Sequence, residues 1–472
     1  MGHNHELRCC VEAPGDYAVK AKYALSMLLI PLGCIPKWVH REALEEGGIY
    51  YGPSSAQVTS EAIRIPLHSE TIVFFQRRSI YPLSNTVWRT WENERWPILF
   101  GGPEEHNQDI IASTFFWLSG WQEYTVRNRD FHGRFSFEAS LQAKLGIGGM
   151  PCVDAYREWL AHRIEASGVD LNRRTWTKRG WAFCPTHDID YIRKWRPGMI
   201  YREVVQYLIG NQLKQSVPGR INRFARFLKD WIVPGDVFKK ALTRMTHETE
   251  KRGGKGTYFF KTDGHGPRDV YYPISHRFVK RTFNWLKAND FEIGLHPSYY
   301  AYNHAGYLQD EKKRLEAAAN LAVKSVRQHY LRYETRTSQL HLEEGFSIDS
   351  TLAFADQEGF RRGTCLPFKL FDIQENKILS LWEMPLCVMD GTVFNYRGYS
   401  LEEAVETTIQ LMQWCKRFGG VCVGLWHNML WDELDFPGWG EHFIASIDYA
   451  VNEGAYIGTL KDSLAMYLNS DV

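Results

Sequence analysis

Thr186-His187-Asp188-Ile189-Asp190 sets two carboxylates two residues apart after an apolar run at 181–185. On a strand, that spacing puts both on one face. Like charges so close repel unless a cation or a shared proton neutralises them. The pair therefore suits a metal centre or acid–base work, with an Asp-rich turn capping the next helix as the plainer alternative. Other strand-like runs deliver similar groups. The run at 291–295 leads into His296-Pro297-Ser298-Tyr299-Tyr300, and 326–330 carries Arg327 and His329, with Arg332 just beyond. The run at 421–426 leads into His427-Asn428. A lone histidine in such a place is usually a hydrogen-bonded structural group. Four segments each delivering histidine or aspartate fit a metal-dependent hydrolytic site better. Imidazole and carboxylate suit Zn²⁺ or a similar divalent ion, and three protein ligands leave a position for water.

The elements that must position these groups alternate beyond residue 180. Strands are predicted at 181–185, 256–261, 291–295, 326–330, 360–364 and 421–426. Helices are predicted at 236–252, 275–289, 308–324, 401–417 and 440–452. Such alternation predicts a parallel α/β sheet or barrel, and in a barrel reactive groups gather at the C-terminal strand ends. Residues 197–235 form a basic, partly helical insertion. Residues 1–175 predict a separate α+β region of no assigned role. It holds a helix at 17–30, strand-like runs at 62–66 and 71–75, and a buried helix at 109–119 entered through Asp109. A helix at 152–167 closes it. Its polar loop at 128–135 carries His132 and Arg134, either as substrate contacts or as a turn. Arg173, Arg174, Lys178, Arg179 and Gly180 mark a polar linker.

Bulk composition excludes several classes. The 472 residues carry a net charge of +1, so no global field draws the chain to nucleic acid or to a membrane. No basic tract with interleaved aromatics suggests a nucleic-acid groove. Nine cysteines lack a CxxC pair, which points to reduced thiols and a cytoplasmic setting. The apolar run at 24–34 has the spacing of an amphipathic helix and is broken by Pro31, so it is not expected to be a signal segment. No run approaches the ~18 apolar residues of a membrane span. Oligomeric state is left open.

The order of these motifs resembles the polysaccharide deacetylase-like superfamily (NodB homology, carbohydrate esterase family 4). It is most similar to a subgroup with a His-Asp-x-Asp first motif and an extra N-terminal domain. The usual first motif is Thr-Phe-Asp-Asp-Gly, and here Thr186-His187-Asp188-Ile189-Asp190 stands in its place. The second, His-Ser/Thr-x-x-His, keeps His296 but has Tyr300 where the second histidine would stand. Arg327-Gln328-His329-Tyr330 resembles an Arg-x-Pro-Tyr motif, and Leu425-Trp426-His427 resembles the final Leu-x-His. The resemblance implies a distorted (β/α) barrel over 176–472. It implies a divalent ion, zinc first, with cobalt, nickel or manganese as options. It implies Asp188 as base, Asp190 and His296 as metal ligands, and His427 as general acid. Exchange of the two aspartates, or both on the metal, stays open. His329 is inferred to replace the missing ligand, against a plain hydrogen bond to a carboxylate. His187, Tyr300, Arg332 and Asp390 are expected to support the site or bind substrate. Arg332 is expected to orient Asp188 or bind a substrate oxygen, and Asp390 to hold His427 or a sugar hydroxyl, with a structural salt bridge as the equal alternative for each. Asp349 is expected to cap a helix.

The function so implied is hydrolysis of an N-acetyl or O-acetyl group on a glycan or its precursor. One alternative is C–N amide hydrolysis on a small molecule. The other is a non-catalytic carbohydrate-binding chain with a decayed site, which the missing second histidine favours.

Overall fold

Two sheets, both largely parallel, organise the chain. The structure is a computed structural model describing residues 5–59, 61–102, 104, 107–176, 179–262, 264–266, 268–269 and 272–468. The first sheet contains β1 (His5–Val11), β2 (Cys34–Trp38), β3 (Ile49–Gly52) and β4 (Ile63–Pro66), in the order β2-β1-β3-β4. All its pairs are parallel. Parallel neighbours need a crossover, supplied between β1 and β2 by the helix Tyr17–Leu29. This region is therefore α/β rather than α+β. The apolar residues of the run at 24–34, such as Leu25, Leu28 and Leu32, are buried in and just beyond that helix. The expected strand at 71–75 is a helix, Thr71–Gln76. A short apolar run has no period that separates strand from helix. The helical turn lets both Phe74 and Phe75 pack on Phe100 and Trp121.

A hairpin of β5 (Val87–Trp91) and β6 (Glu94–Ile98) leads to the helix Ile110–Ser119. Asp109 caps it by accepting from Ala112 N at 2.8 Å. All ten residues of this helix are buried. The helix Cys152–Ala166 follows as expected.

The second sheet contains ten strands. They are β7 (Ala182–Ile189), β8 (Thr257–Phe260), β9 (Glu292–Leu295), β10 (Ser325–Val326), β11 (Ile348–Asp349), β12 (Phe368–Asp372), β13 (Lys377–Glu383), β14 (Leu386–Met389), β15 (Val421–His427) and β16 (Tyr456–Ile457). The order is β12-β13-β11-β10-β9-β8-β7-β15-β14, with β16 also on β7. Every pair is parallel except β12 with β13. The sheet curls as a half-barrel; among the described residues no ladder joins β12 to β14, so the expected barrel is an open one. The five helices predicted between strands are present within a few residues of their expected bounds.

Three expectations need correction. Residues 360–364 are not a strand: Gly363 turns there at φ +67°, and the pairing passes to β12, β13 and β14. The strand expected at 326–330 stops at Val326, because Tyr330 and Leu331 take left-handed φ of +60° and +53°. Asp349 lies in β11 rather than at a helix cap, and its Oδ2 lies 2.8 Å from His341 Nδ1.

One hydrophobic core runs through both sheets, from Leu7 to Ile457. Phe115 meets Phe371 edge-on, and Tyr23 donates to Lys369 O at 2.6 Å. Buried Glu123 accepts from Arg361 at 2.9 and 2.7 Å. Among the described residues all nine cysteines are free and buried, and no helix is long and apolar enough to cross a membrane.

Candidate metal centre and its flanking acid and base

β7 lies inside the second sheet, between β8 and β15, with all eight residues buried. Its alternation points Thr186, Asp188 and Asp190 into the curl and His187 out of it. His187 packs on Tyr258 and Phe443 instead, with its Nδ1 3.3 Å from Trp426 O. Burial drives its pKa down to about 3. The expectation that His187 supports the site is therefore not met.

The inward carboxylates meet two imidazoles. His296, just past β9, has Nδ1 2.7 Å from Arg327 O. That contact holds the proton on Nδ1 and leaves the Nε2 lone pair facing the site. Nε2 lies 3.5 Å from Asp190 Oδ1 and 3.0 Å from His329 Nδ1, and His329 Nδ1 lies 3.6 Å from Asp190 Oδ1. Ligand atoms about 2.1 Å from a tetrahedral ion stand ~3.4 Å apart. The three atoms thus already approximate one face of a tetrahedron. They form the one group of three or more His, Cys, Asp or Glu residues, among those described, that could hold a metal ion. Asp190 Oδ1 is buried without a hydrogen-bond partner, as a ligand atom would be in the absence of its ion. Burial opposes ionisation of Asp190, but His329, His296 and Lys261 outweigh it and hold the carboxyl well below its usual range. Burial, then Lys261, lowers the His329 pKa well below its usual value against the pull of Asp190.

Asp188 sits beside this triad, with Oδ2 3.6 Å from His296 Nε2. Its other oxygen faces Arg327 Nη1 at 3.3 Å. Arg327 is fully buried and also donates to Thr186 Oγ1, Ser350 O and Ser350 Oγ at 2.7–2.8 Å. The role expected of Arg332 therefore belongs to Arg327. Arg332 donates to His132 O and Tyr299 O and stacks on Tyr299 and Tyr302, clamping two loops together. Tyr300 is 41 % exposed and lies outside the cavity, so it takes no place at the metal triad.

Across the cavity, His427 ends β15. Asp390 holds it twice, accepting from its backbone N at 2.7 Å and contacting Nδ1 at 2.7 Å. Its Nε2 points at Asp190 Oδ2, 4.0 Å away. Burial would lower the His427 pKa, but Asp390, then Asp190 and Asp188, carry it up to about 10. His427 is thus a poised proton donor.

A cavity of about 240 Å³ opens over these groups, walled also by Tyr191, Tyr330, Met389 and Tyr396. Two arginines complete the wall. Arg134, from the polar loop before residue 175, donates to Tyr330 O at 3.0 Å and Tyr396 OH at 2.9 Å, and pairs with Asp130. Arg268 lies 3.0 Å from His132 Nδ1. Of the two loop residues left undecided by their polarity, Arg134 lines the cavity, while His132 meets it only through Arg268. Sequence reasoning missed Arg268 and the buried pair Lys261–Asp269, 3.1 Å apart. A lysine directly after β8 was the available signal for that pair.

Residues 23–168 match a family of unknown function, DUF7033. No curated protein matches the chain. Among solved structures, PuuE allantoinase aligns at 12% identity and TM-score 0.40, over 61% of this chain and 91% of that one. The chitin deacetylase of the fungal pathogen Colletotrichum lindemuthianum aligns at 12% and 0.34, over 61% and 89%. BA3943 of Bacillus anthracis, a CE4 family pseudoenzyme, aligns at 11% and 0.31, over 62% and 66%. Identities and TM-scores this low transfer neither activity nor residue roles.

Proposed function

We propose that the chain is a metal-dependent hydrolase that removes an acetyl group, N-linked first and O-linked as the alternative, from a glycan or glycan precursor. The observation that carries this is the juxtaposition in one cavity of Asp190, His296 and His329 with Asp188 on one side and His427 on the other. A divalent ion held by Asp190, His296 and His329, zinc first, would supply Lewis acidity toward a carbonyl and toward water. Asp188, held by Arg327, takes the proton from the attacking water. His427, kept protonated by Asp390, gives its proton to the leaving amine or alkoxide. Buried Arg327 spends its donors on Asp188, Thr186 and Ser350, so Asp188 keeps one orientation through both steps. Tyr191, Tyr330 and Tyr396 supply flat faces of the kind on which a sugar ring stacks.

The test pairs metal content with acetate release from N-acetylated sugars, free and polymeric, with small cyclic amides run alongside. Asp188→Asn is expected to keep the metal and lose turnover by ~10²–10⁴-fold. Undiminished turnover in that variant would remove Asp188 as base. A stoichiometric metal without turnover on any substrate would favour a binding role over catalysis.

A further inference from the structure

The insertion between β7 and β8 folds as a helical hairpin whose outer side is apolar. Its first arm is the helix Pro197–Tyr201 continued by the π-helical segment Arg202–Ile209, and its second is the helix Val217–Ile232. On the second arm Val217, Ile221, Ala225, Leu228 and Ile232 recur every three to four residues and are all exposed. That is the spacing of one helical face. On the first arm Tyr201, Val205 and Ile209 are exposed at four-residue spacing. Among the described residues, eleven of the twenty-four exposed large apolar side chains fall within 200–233. Concentration on that scale marks a contact surface rather than ordinary scatter.

The inner side explains why the outer one is free. Phe227 is buried and packs on Trp195 and Trp231. Arg223 bridges Glu203 at 2.9 Å and Asp435 at 2.5 Å, and donates to Leu434 O. Arg202 reaches the same Asp435. Polar anchors thus hold the hairpin on the loop that follows His427, and the apolar stripe is turned away from the protein.

Charge identifies what covers it. Residues 200–233 carry six lysines and arginines against two acids, a net +4, while the whole chain is only +1. Lys214 and Lys229 are exposed beside the stripe, while Arg226 lies on the anchored side and donates to Glu433 O at 2.7 Å. A twofold contact between copies would press two such +4 hairpins together. An anionic lipid surface instead takes up the apolar stripe and attracts the flanking bases at once.

From this juxtaposition we propose that the 200–233 hairpin docks the protein on an anionic bilayer surface, lying in the interface without spanning it. Because the hairpin is anchored to the 428–435 loop, docking also sets the cavity mouth close to the lipid.

Flotation of the full-length protein with phosphatidylglycerol-containing vesicles, against pure phosphatidylcholine vesicles, tests this. Partition is expected to favour the anionic vesicles roughly tenfold and to weaken as salt is raised. Ile221→Glu with Leu228→Glu is expected to abolish flotation. Lys214→Glu with Lys229→Glu is expected to reduce it about tenfold. Both double variants should keep the wild-type circular dichroism spectrum, since all four side chains face outward. Three results would overturn the proposal: no flotation with either vesicle, flotation indifferent to both double variants, or a dimer in sedimentation velocity that Ile221→Glu with Leu228→Glu dissociates. None of these depends on acetate release, so failure here and failure of the proposed hydrolysis are separable.

Discussion

His329 carries the sharpest expectation about the metal. It stands where the resemblance gave proline, yet its Nδ1 completes a triangle with His296 Nε2 and Asp190 Oδ1 at 3.0–3.6 Å. His329→Ala and Asp190→Ala are each expected to weaken zinc affinity by on the order of a hundredfold or more, measured by competition with a chromogenic chelator. An unchanged affinity in His329→Ala would return that histidine to a structural role. His427 makes a prediction about pH. Asp390 is the largest of the charges that raise its pKa to about 10. Replacing it by Asn is expected to move the alkaline limb of the kcat/KM profile down by about one unit or more. The same shift links to folding. The raised value means that stability from charged His427 is full below its ordinary 6.5 and is lost as pH rises toward 10.

Among the elements, the helix Ile110–Ser119 depends most on one residue. Asp109 caps it and also accepts from Tyr51 OH at 2.9 Å, and from His68 N and Thr71 Oγ1 at 3.0 Å. It is fully buried, and burial raises its carboxyl to about 6 despite those donors. Asp109→Ala leaves several buried donors unpaired and is expected to cost about 2–4 kcal/mol, read from the urea midpoint at constant m-value. This helix was legible because an aspartate precedes an unbroken apolar run. The short strand β10 was not, since nothing in Arg327-Gln328-His329-Tyr330 announces the left-handed turn at Tyr330 and Leu331. That turn is what sets His329 beside His296 instead of continuing the strand.

Both sheets draw on one core, so the molecule is expected to unfold as one cooperative unit. Glu123 is the polar point of that junction. Burial would raise its pKa, but Arg361 and Arg362 hold it below the usual range. Glu123→Gln leaves two buried guanidiniums without a counter-charge and is expected to cost about 3–5 kcal/mol. Urea unfolding followed by tryptophan fluorescence and by far-UV circular dichroism is expected to give one coincident transition in wild type and variant. Two separated transitions would mean that residues 1–175 and 176–472 fold as independent units. Arg134 fits the first outcome, because a residue of the first half lines the cavity built by the second.

Local pattern determined a good deal by itself. Period-two alternation placed Asp188 and Asp190 on one face, strand–helix alternation announced the parallel sheet, and the histidines after strand-like runs marked where chemistry gathers. Those signals lie within a few residues of each other, so the chain expresses them without its fold. The partnerships needed the tertiary structure. Arg327 and Arg332 are five residues apart and chemically alike, yet one is buried against Asp188 while the other clamps loops. His187 neighbours the carboxylate pair in sequence but faces the outer helices. Asp390 joins His427, and Arg134 joins the cavity, across 37 and 196 or more residues of intervening chain. Such pairings follow from which side chains a curled sheet turns inward, and no local spacing encodes that.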